Sequence, residues 1–279
     1  MPEKLRRIGM NTIIFRMRFS ATRVESHPMV EPKLRLVDIP EYYADRFHLH
    51  NLEFWSRHFE VHSPGYLSDL KKAIAKARSR LINIQLDDLP FAEGTMRGYF
   101  LASRDEAMRQ NSIRFVKEWI DAAALVGSSA IRVNTESGDF DLCANSFREL
   151  TLYAAQKGVV MLVENHGGIS ADPQLHVRLI KEVNHPNIRT APDFGNHKPD
   201  IRYEALKMIM PYAYEVEPKA LPFNKEFEHT GYDFDRSMRI AVESGFQGIY
   251  SVDYWDKDAK RADYEKIADW LIEHVAGYL

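Results

Sequence analysis

Four acids stand where short apolar runs end: Glu164 after "VVMLV", Asp193 after "IRTAP", Glu217 after "YEV" and Asp253 after "GIYSV". Carboxylates brought together in one place repel strongly unless they are protonated or neutralised by a cation. A divalent ion resolves that conflict, and an all-oxygen ligand set suits Mg²⁺ or Mn²⁺ better than Zn²⁺. The stretch "MLVENHGG" adds a histidine, His166, two residues after the first of these acids and before two glycines. Read blandly, each acid is a solvated residue in a loop after a strand. Four in register, each closing an apolar run, are expected instead to share one divalent ion per chain.

The elements that must position them repeat along the second half: a short apolar run, a polar turn, a helical stretch, another short apolar run. The runs cover 130–134, 159–164, 188–193, 214–217 and 248–253. Pro192 and Pro218 flank two of the acids and cannot donate to a ladder, so those strands are expected to stop there. Asp172-Pro173 predicts a helix start, Asp233 another that closes at Gly245, and Gly127 the end of the helix in "NSIRFVKEWIDAAALVG". Tyr264, Ile267, Ala268, Leu271, Ile272 and Val275 share one face of a final amphipathic helix. In the first half "NTIIF", "NLEFW" and "LINIQL" are read as strands.

Strands alternating with helices imply parallel pairing. Eight strand candidates in 279 residues predict an α/β fold, a (β/α)8 TIM barrel forming a single domain over residues 1–279. A doubly wound open sheet is the runner-up, and the missing glycine-rich phosphate loop counts against it. In such a barrel the active site lies at the C-terminal ends of the strands, where the four acids would converge.

Composition narrows the partners. The net charge of −3, with a sequence pI near 6.4, supplies no broad attraction for nucleic acid or anionic lipid. No stretch approaches the ~20 apolar residues of a membrane span. The single cysteine, Cys143, forms no internal disulfide, so a cytoplasmic location is expected. The opening "MPEKLRRIGMNTIIFRMRF" is read as a first strand rather than a leader, because Asn11, Arg16 and Arg18 break its apolar stretch. The oligomeric state is open, a homo-oligomer included.

The chain resembles the xylose-isomerase-like barrels of sugar (phosphate) isomerases and epimerases over nearly its whole length. "LVENHGG" resembles that family's fifth-strand glutamate motif and "APDFGNH" its sixth-strand aspartate motif. "YEVEPKA" falls where the family often has a His-x-Lys-Asp sequence, and "GFQGIYSVDYW" where it has a glycine, a strand and a closing glutamate. "DRFHLHNLEFW" is similar to its second-strand entry. The resemblance implies a metal held by Glu164, Asp193, Glu217 and Asp253, and an enediolate-type proton transfer with Glu164 and Asp253 as the acid/base pair. Glu217 replaces the usual histidine ligand, Asp253 the usual glutamate, and Asn196 a histidine found in related epimerases, with His197 following. The histidine-rich motifs of the family's endonuclease branch have no match.

The remaining candidates would hold a small carbohydrate-like substrate. His166 is read as a hydroxyl ligand or second base, with a surface loop histidine as the alternative, and His197 as a weaker equivalent. Lys219 matches the family's lysine and would hold an oxyanion or phosphate. Arg132 and Asn134 end the fourth strand and would bind hydroxyls or a phosphate. Trp55 and Trp255 would wall a sugar ring, although core packing is the commoner use of tryptophan. The segment "LPFNKEFEHTGYD" is read as a loop with room for a lid. The leading expectation is a metal-dependent isomerase or epimerase of a ketose, sugar phosphate or related polyol derivative. A lyase dehydrating a keto-cyclitol or keto acid and a non-catalytic accessory subunit are the alternatives.

Overall fold

Short β-branched runs become parallel strands in the computed structural model, which describes residues 2–23, 33–87, 100–256 and 263–279. The strands are β1 (Ile8–Asn11), β2 (Asn51–Trp55), β3 (Arg80–Leu86), β4 (Ala130–Val133), β5 (Val160–Glu164), β6 (Ile188–Ala191), β7 (Glu215–Val216), β8 (Lys219–Ala220) and β9 (Ile249–Tyr254). They pair in the order β6-β5-β4-β3-β2-β1-β9-β7, with β8 also on β9. β7 and β8 are two halves of one strand position, interrupted at Glu217-Pro218. Parallel bridges Thr190↔Ala213 and Asp193↔Glu217 bring β6 to that position and nearly close the ring. The result is a single-domain (β/α)8 barrel with eight strand positions.

The helices are α1 (Pro2–Leu5), α2 (Ile39–Phe47), α3 (Pro64–Lys76), α4 (Glu106–Val126), α5 (Phe140–Gln156), α6 (Pro173–Val183), α7 (Arg202–Ile209), α8 (Phe234–Glu243) and α9 (Tyr264–Tyr278). Their starts follow from the caps read in the sequence. The Asp172 carboxylate accepts from the backbone N–H groups of Gln174 and Leu175, and that of Asp233 accepts from Arg236 N–H. Gly127 ends α4 in the left-handed region at φ 87. In α9, Tyr264, Ile267, Ala268, Leu271, Ile272 and Val275 are all buried against the barrel.

The expected strand over "NTIIF" is corrected. The strand lies earlier, at β1, and residues Thr12–Arg18 form 3-10 turns. The Asn11 side-chain oxygen accepts from Ile13 N–H at 3.0 Å, which turns the chain out of the ladder at that point. β6 does stop before Pro192 and β7 before Glu217-Pro218, but the ladder resumes at β8 once the proline is past. No helix among the described residues is long and apolar enough to cross a membrane.

One packing detail carries a pH prediction. His176 on α6 is fully buried, and burial, followed by the neighbouring His197, lowers its pKa from the ordinary 6.5 to about 3. The folded chain keeps this ring neutral while the unfolded chain takes a proton. Stability is therefore lost as pH falls below about 6.5, by up to about 1.4 kcal/mol per pH unit until about pH 3. His176→Met is expected to flatten this slope, read from urea midpoints at pH 7 and 4.5. An unchanged slope would contradict the assignment.

Candidate active site

The C-terminal strand ends gather the acids as the sequence suggested. Glu164 is the last residue of β5, Asp193 lies just past β6, Glu217 sits between β7 and β8, and Asp253 is near the end of β9, opposite Lys219. All four are buried, at most 1% exposed. The glycines after His166 have a steric cause: Gly168 has φ 55, and a Cβ there would lie 2.4 Å from the Glu136 carbonyl carbon.

Much of the expected repulsion is answered by the chain's own cations. Arg132 Nε lies 2.9 Å from Glu164 Oε2, and its NH1 donates to Asp87 Oδ1 at 2.7 Å. Lys219 Nζ donates to Asp193 Oδ2 at 2.9 Å and to Asn196 Oδ1 at 3.1 Å, and lies 3.8 Å from Asp253 Oδ2. Burial acts to lower the Lys219 pKa, and the charges of Asp193, Asp253 and Glu164 outweigh it, so the ammonium is retained. Asn196 Nδ2 donates to Glu164 Oε1 at 2.5 Å. Asn196 thus links the Glu164 and Lys219 halves of the site. The premise that four acids require a metal to coexist is weakened accordingly.

Two cations do not neutralise the whole set. Burial, then the charges of Glu164, Glu53 and Asp193, pushes the Glu217 carboxyl well above the ordinary carboxylate range. Its Oε2 accepts from Gln85 Nε2 at 3.0 Å, while its buried Oε1 has no hydrogen-bond partner among the described residues. One carboxylate oxygen from each of Glu164, Asp193 and Glu217 lies within 4.8 Å of the others. A buried carboxylate trio whose Glu217 keeps one oxygen without a hydrogen-bond partner fits a hard divalent cation. Asp253 stands apart from this trio. Its Oδ1 accepts from Tyr254 N–H at 2.6 Å, and burial raises its pKa to about 6. Glu53 and Glu215 form a second buried trio with Glu217, deeper in the barrel, where Asn83 Nδ2 donates to both at 2.8 and 2.7 Å.

A cavity of about 460 Å³ opens above these groups. Of the residues singled out from sequence, Glu164, Asp253, His166, Lys219, Arg132, Asn134, Trp55 and Trp255 line it, and Asp193 and Glu217 do not. His197 is also outside it; buried at 3% exposure, it has its carbonyl bound by Arg202 at 2.9 Å. Burial is the first cause that lowers the His197 pKa. Trp55 and Trp255 meet edge to face, ring centroids 6.4 Å apart, with the Arg16 guanidinium over Trp255 at 4.2 Å. His166 reaches solvent through the cavity mouth, its Nδ1 3.3 Å from Asn134 Nδ2, and the protein around it lowers its pKa. The segment after β8 folds back on itself through an antiparallel bridge, Phe223↔His229.

Sequence reading missed Asp87. It accepts from Arg132, from Asn134 Nδ2 at 2.9 Å and from Trp55 Nε1 at 2.5 Å, and so orients three candidate substrate contacts. Burial raises its pKa, but the Arg132 and His166 charges and the donated hydrogen bonds outweigh this and leave it at about 2. The available signal was the one used for the other acids, since "LINIQLD" is an apolar run closed by a carboxylate. Glu215 was likewise legible: the two-residue period in "YEVE" puts it on the same face as Glu217.

Comparison with known proteins agrees with this architecture. Residues 47–274 match the family described as Xylose isomerase-like TIM barrel. A search of curated proteins finds no significant match to the sequence. Among solved structures, the apo 3-keto-D-glucoside 4-epimerase YcjR from E. coli is 17% identical with a TM-score of 0.67, covering 95% of this chain and 98% of that one. The probable 3-DHS dehydratase AsbF from Bacillus anthracis is 13% identical, TM-score 0.65, covering 96% and 97%. A xylose isomerase-like TIM barrel protein from Mycobacterium smegmatis in complex with magnesium is 14% identical, TM-score 0.65, covering 98% and 97%. At such identities these likenesses show the fold alone. With the family match spanning most of the sequence, the chain belongs to the xylose isomerase-like TIM-barrel family.

Proposed function

We propose that this protein is a metal-dependent isomerase or epimerase of a ketose, sugar phosphate or related polyol derivative. The observation that carries the reading is the double position of Glu164, in the wall of the cavity and in the carboxylate trio that suits a divalent ion. Glu164, Asp193 and Glu217 would hold Mn²⁺ or Mg²⁺, with Asp253 as a further candidate ligand. When bound, the ion supplies Lewis-acid polarisation of the substrate's carbonyl oxygen and the neighbouring hydroxyl.

The chain's own residues then move the proton. Glu164 lifts it from the carbon beside the carbonyl; the C–H electron pair forms the enediolate double bond, and the carbonyl electrons pass to oxygen. Asp253 returns a proton from the other side. Burial is the first cause that raises both pKa values, to about 6 for Asp253, which brings these acids toward the working range of an acid/base pair. The Lys219 ammonium and Arg132 guanidinium favour negative charge developing on substrate oxygen. His166 and Asn134 would bind hydroxyls, and the two tryptophans would exclude water from one face of the sugar.

Elemental analysis of protein purified without chelator is expected to give about one equivalent of divalent metal. Adding Mn²⁺ to chelator-treated protein is expected to raise Tm by mass action. No metal together with an unchanged Tm would contradict the metal-dependent reading. A lyase is the alternative reading, since the same barrel fold occurs in the probable dehydratase AsbF. It shares proton abstraction and differs in expelling a β-hydroxyl, so its product is a conjugated enone or dienol that absorbs in the ultraviolet. Ligand binding without metal would favour an accessory subunit.

A further inference from the structure

On the face opposite the candidate active site, a cavity of about 710 Å³ lies where β1, β2 and β3 begin, lined by Arg6, His48, His50, Asn51, Arg78 and Arg80 among others. Among the described residues no aspartate or glutamate lines it, although Glu41 and Asp45 line an adjoining hollow that Arg78 and His50 also border. The exposed side chains of Arg6, Arg78 and Arg80 make no ion pair among the described residues. Three arginines from separate segments thus line one concave space that no described carboxylate enters.

The floor is held in place by buried Asn51. Its Nδ2 donates to the carbonyls of Arg6 at 3.0 Å and Ile8 at 2.8 Å, and its Oδ1 accepts from Arg80 Nε at 2.6 Å. Backbone conformation adds a second observation. His48 and Arg78 follow the ends of α2 and α3 in the left-handed region, at φ 56 and 53. After α4, α5 and α8 the corresponding residues are Gly127, Gly158 and Gly245, and after α6 it is Asn184. Among the described helix ends, a cationic or titratable side chain takes this unfavourable conformation only beside the cavity. Helix capping does not consume these groups. The Tyr43 carbonyl accepts from the backbone N–H of His48 and Leu49, that of Ala75 from Arg78 N–H and that of Ile74 from Ser79 N–H.

We propose that this cavity binds a phosphorylated small molecule, with phosphate oxygens among Arg6, Arg78 and Arg80. Guanidinium forks match phosphate oxygens in pairs, and the volume is in the range of small-ligand pockets. A bounded hollow on a chain of net charge −3 does not suit the long track of a nucleic acid backbone. The proposal is independent of the chemistry assigned to the opposite face.

Titration calorimetry and melting curves with pyrophosphate and ADP, against NaCl at matched ionic strength, test it. Wild type is expected to bind about one equivalent with a rise in Tm. Arg78→Gly is expected to weaken binding at least tenfold while raising the unliganded Tm, since φ 53 suits glycine. Lys219→Met, on the opposite face, is expected to keep the binding. The proposal is overturned if neither probe binds, if NaCl reproduces the shift, or if binding is lost in Lys219→Met and kept in Arg78→Gly. Tighter binding of a single-stranded RNA oligonucleotide than of ADP would also overturn it.

Discussion

Glu164→Gln is expected to lower turnover by at least about 10³-fold while leaving the barrel folded. The substitution preserves size and hydrogen-bonding reach at a site 1% exposed, so no cavity opens. It removes the basicity needed to lift a C–H proton. It also removes one carboxylate from the trio with Asp193 and Glu217, so divalent affinity falls as well. The fold tolerates the change because Arg132 keeps its 2.7 Å partner Asp87, and an amide oxygen can still face Arg132 Nε. Losing a charge there leaves fewer like charges near Glu217. A Tm within a few degrees of wild type, with turnover gone at saturating Mn²⁺, is the expected pair of results. Near-normal turnover would mean that another group takes the proton.

Asp253→Asn is expected to cost about 10²–10⁴-fold in net conversion, with a different signature. If Asp253 returns the proton on the second face, the variant still permits Glu164 to exchange the proton of one epimer with solvent. Interconversion should therefore fall further than solvent exchange from that epimer. The Lys219 ammonium, 3.8 Å from Asp253 Oδ2, retains Asp193 at 2.9 Å, so its burial stays compensated. Equal loss of exchange and interconversion would show that Asp253 acts through metal binding or positioning instead.

Barrel topology was legible because the units of the second half carry their own punctuation: Gly127, Asp172-Pro173, Gly245 and the prolines beside Asp193 and Glu217. The strand-end acids were legible for the same reason, each closing an apolar run. Less legible was what neutralises them. Arg132 meets Asp87 through the pairing of β3 with β4, and Lys219 meets Asp193 only where β6 closes on the β7–β8 position, partners 45 and 26 residues apart. The first strand was misplaced because "TIIF" has β propensity that a single Asn11 side-chain hydrogen bond overrides. His197 was read as facing the substrate since it follows "DFGN", yet the turn after Asp193 directs Asn196 to Glu164 and leaves His197 buried behind it. Glu53 lies within the strand "NLEFW", and its place beside Glu215 depends on closure across the barrel.

Solvent deuterium exchange tests the central claim most directly. The metal-loaded protein is incubated in D₂O with a panel of ketoses, sugar phosphates, keto-glycosides and keto acids, and the carbon beside each carbonyl is followed by proton NMR. The account predicts deuterium at that carbon in at least one sugar, without loss of water, and no incorporation with Glu164→Gln. Absence of exchange across the whole panel with the divalent ion bound, or exchange that survives in Glu164→Gln, would contradict it.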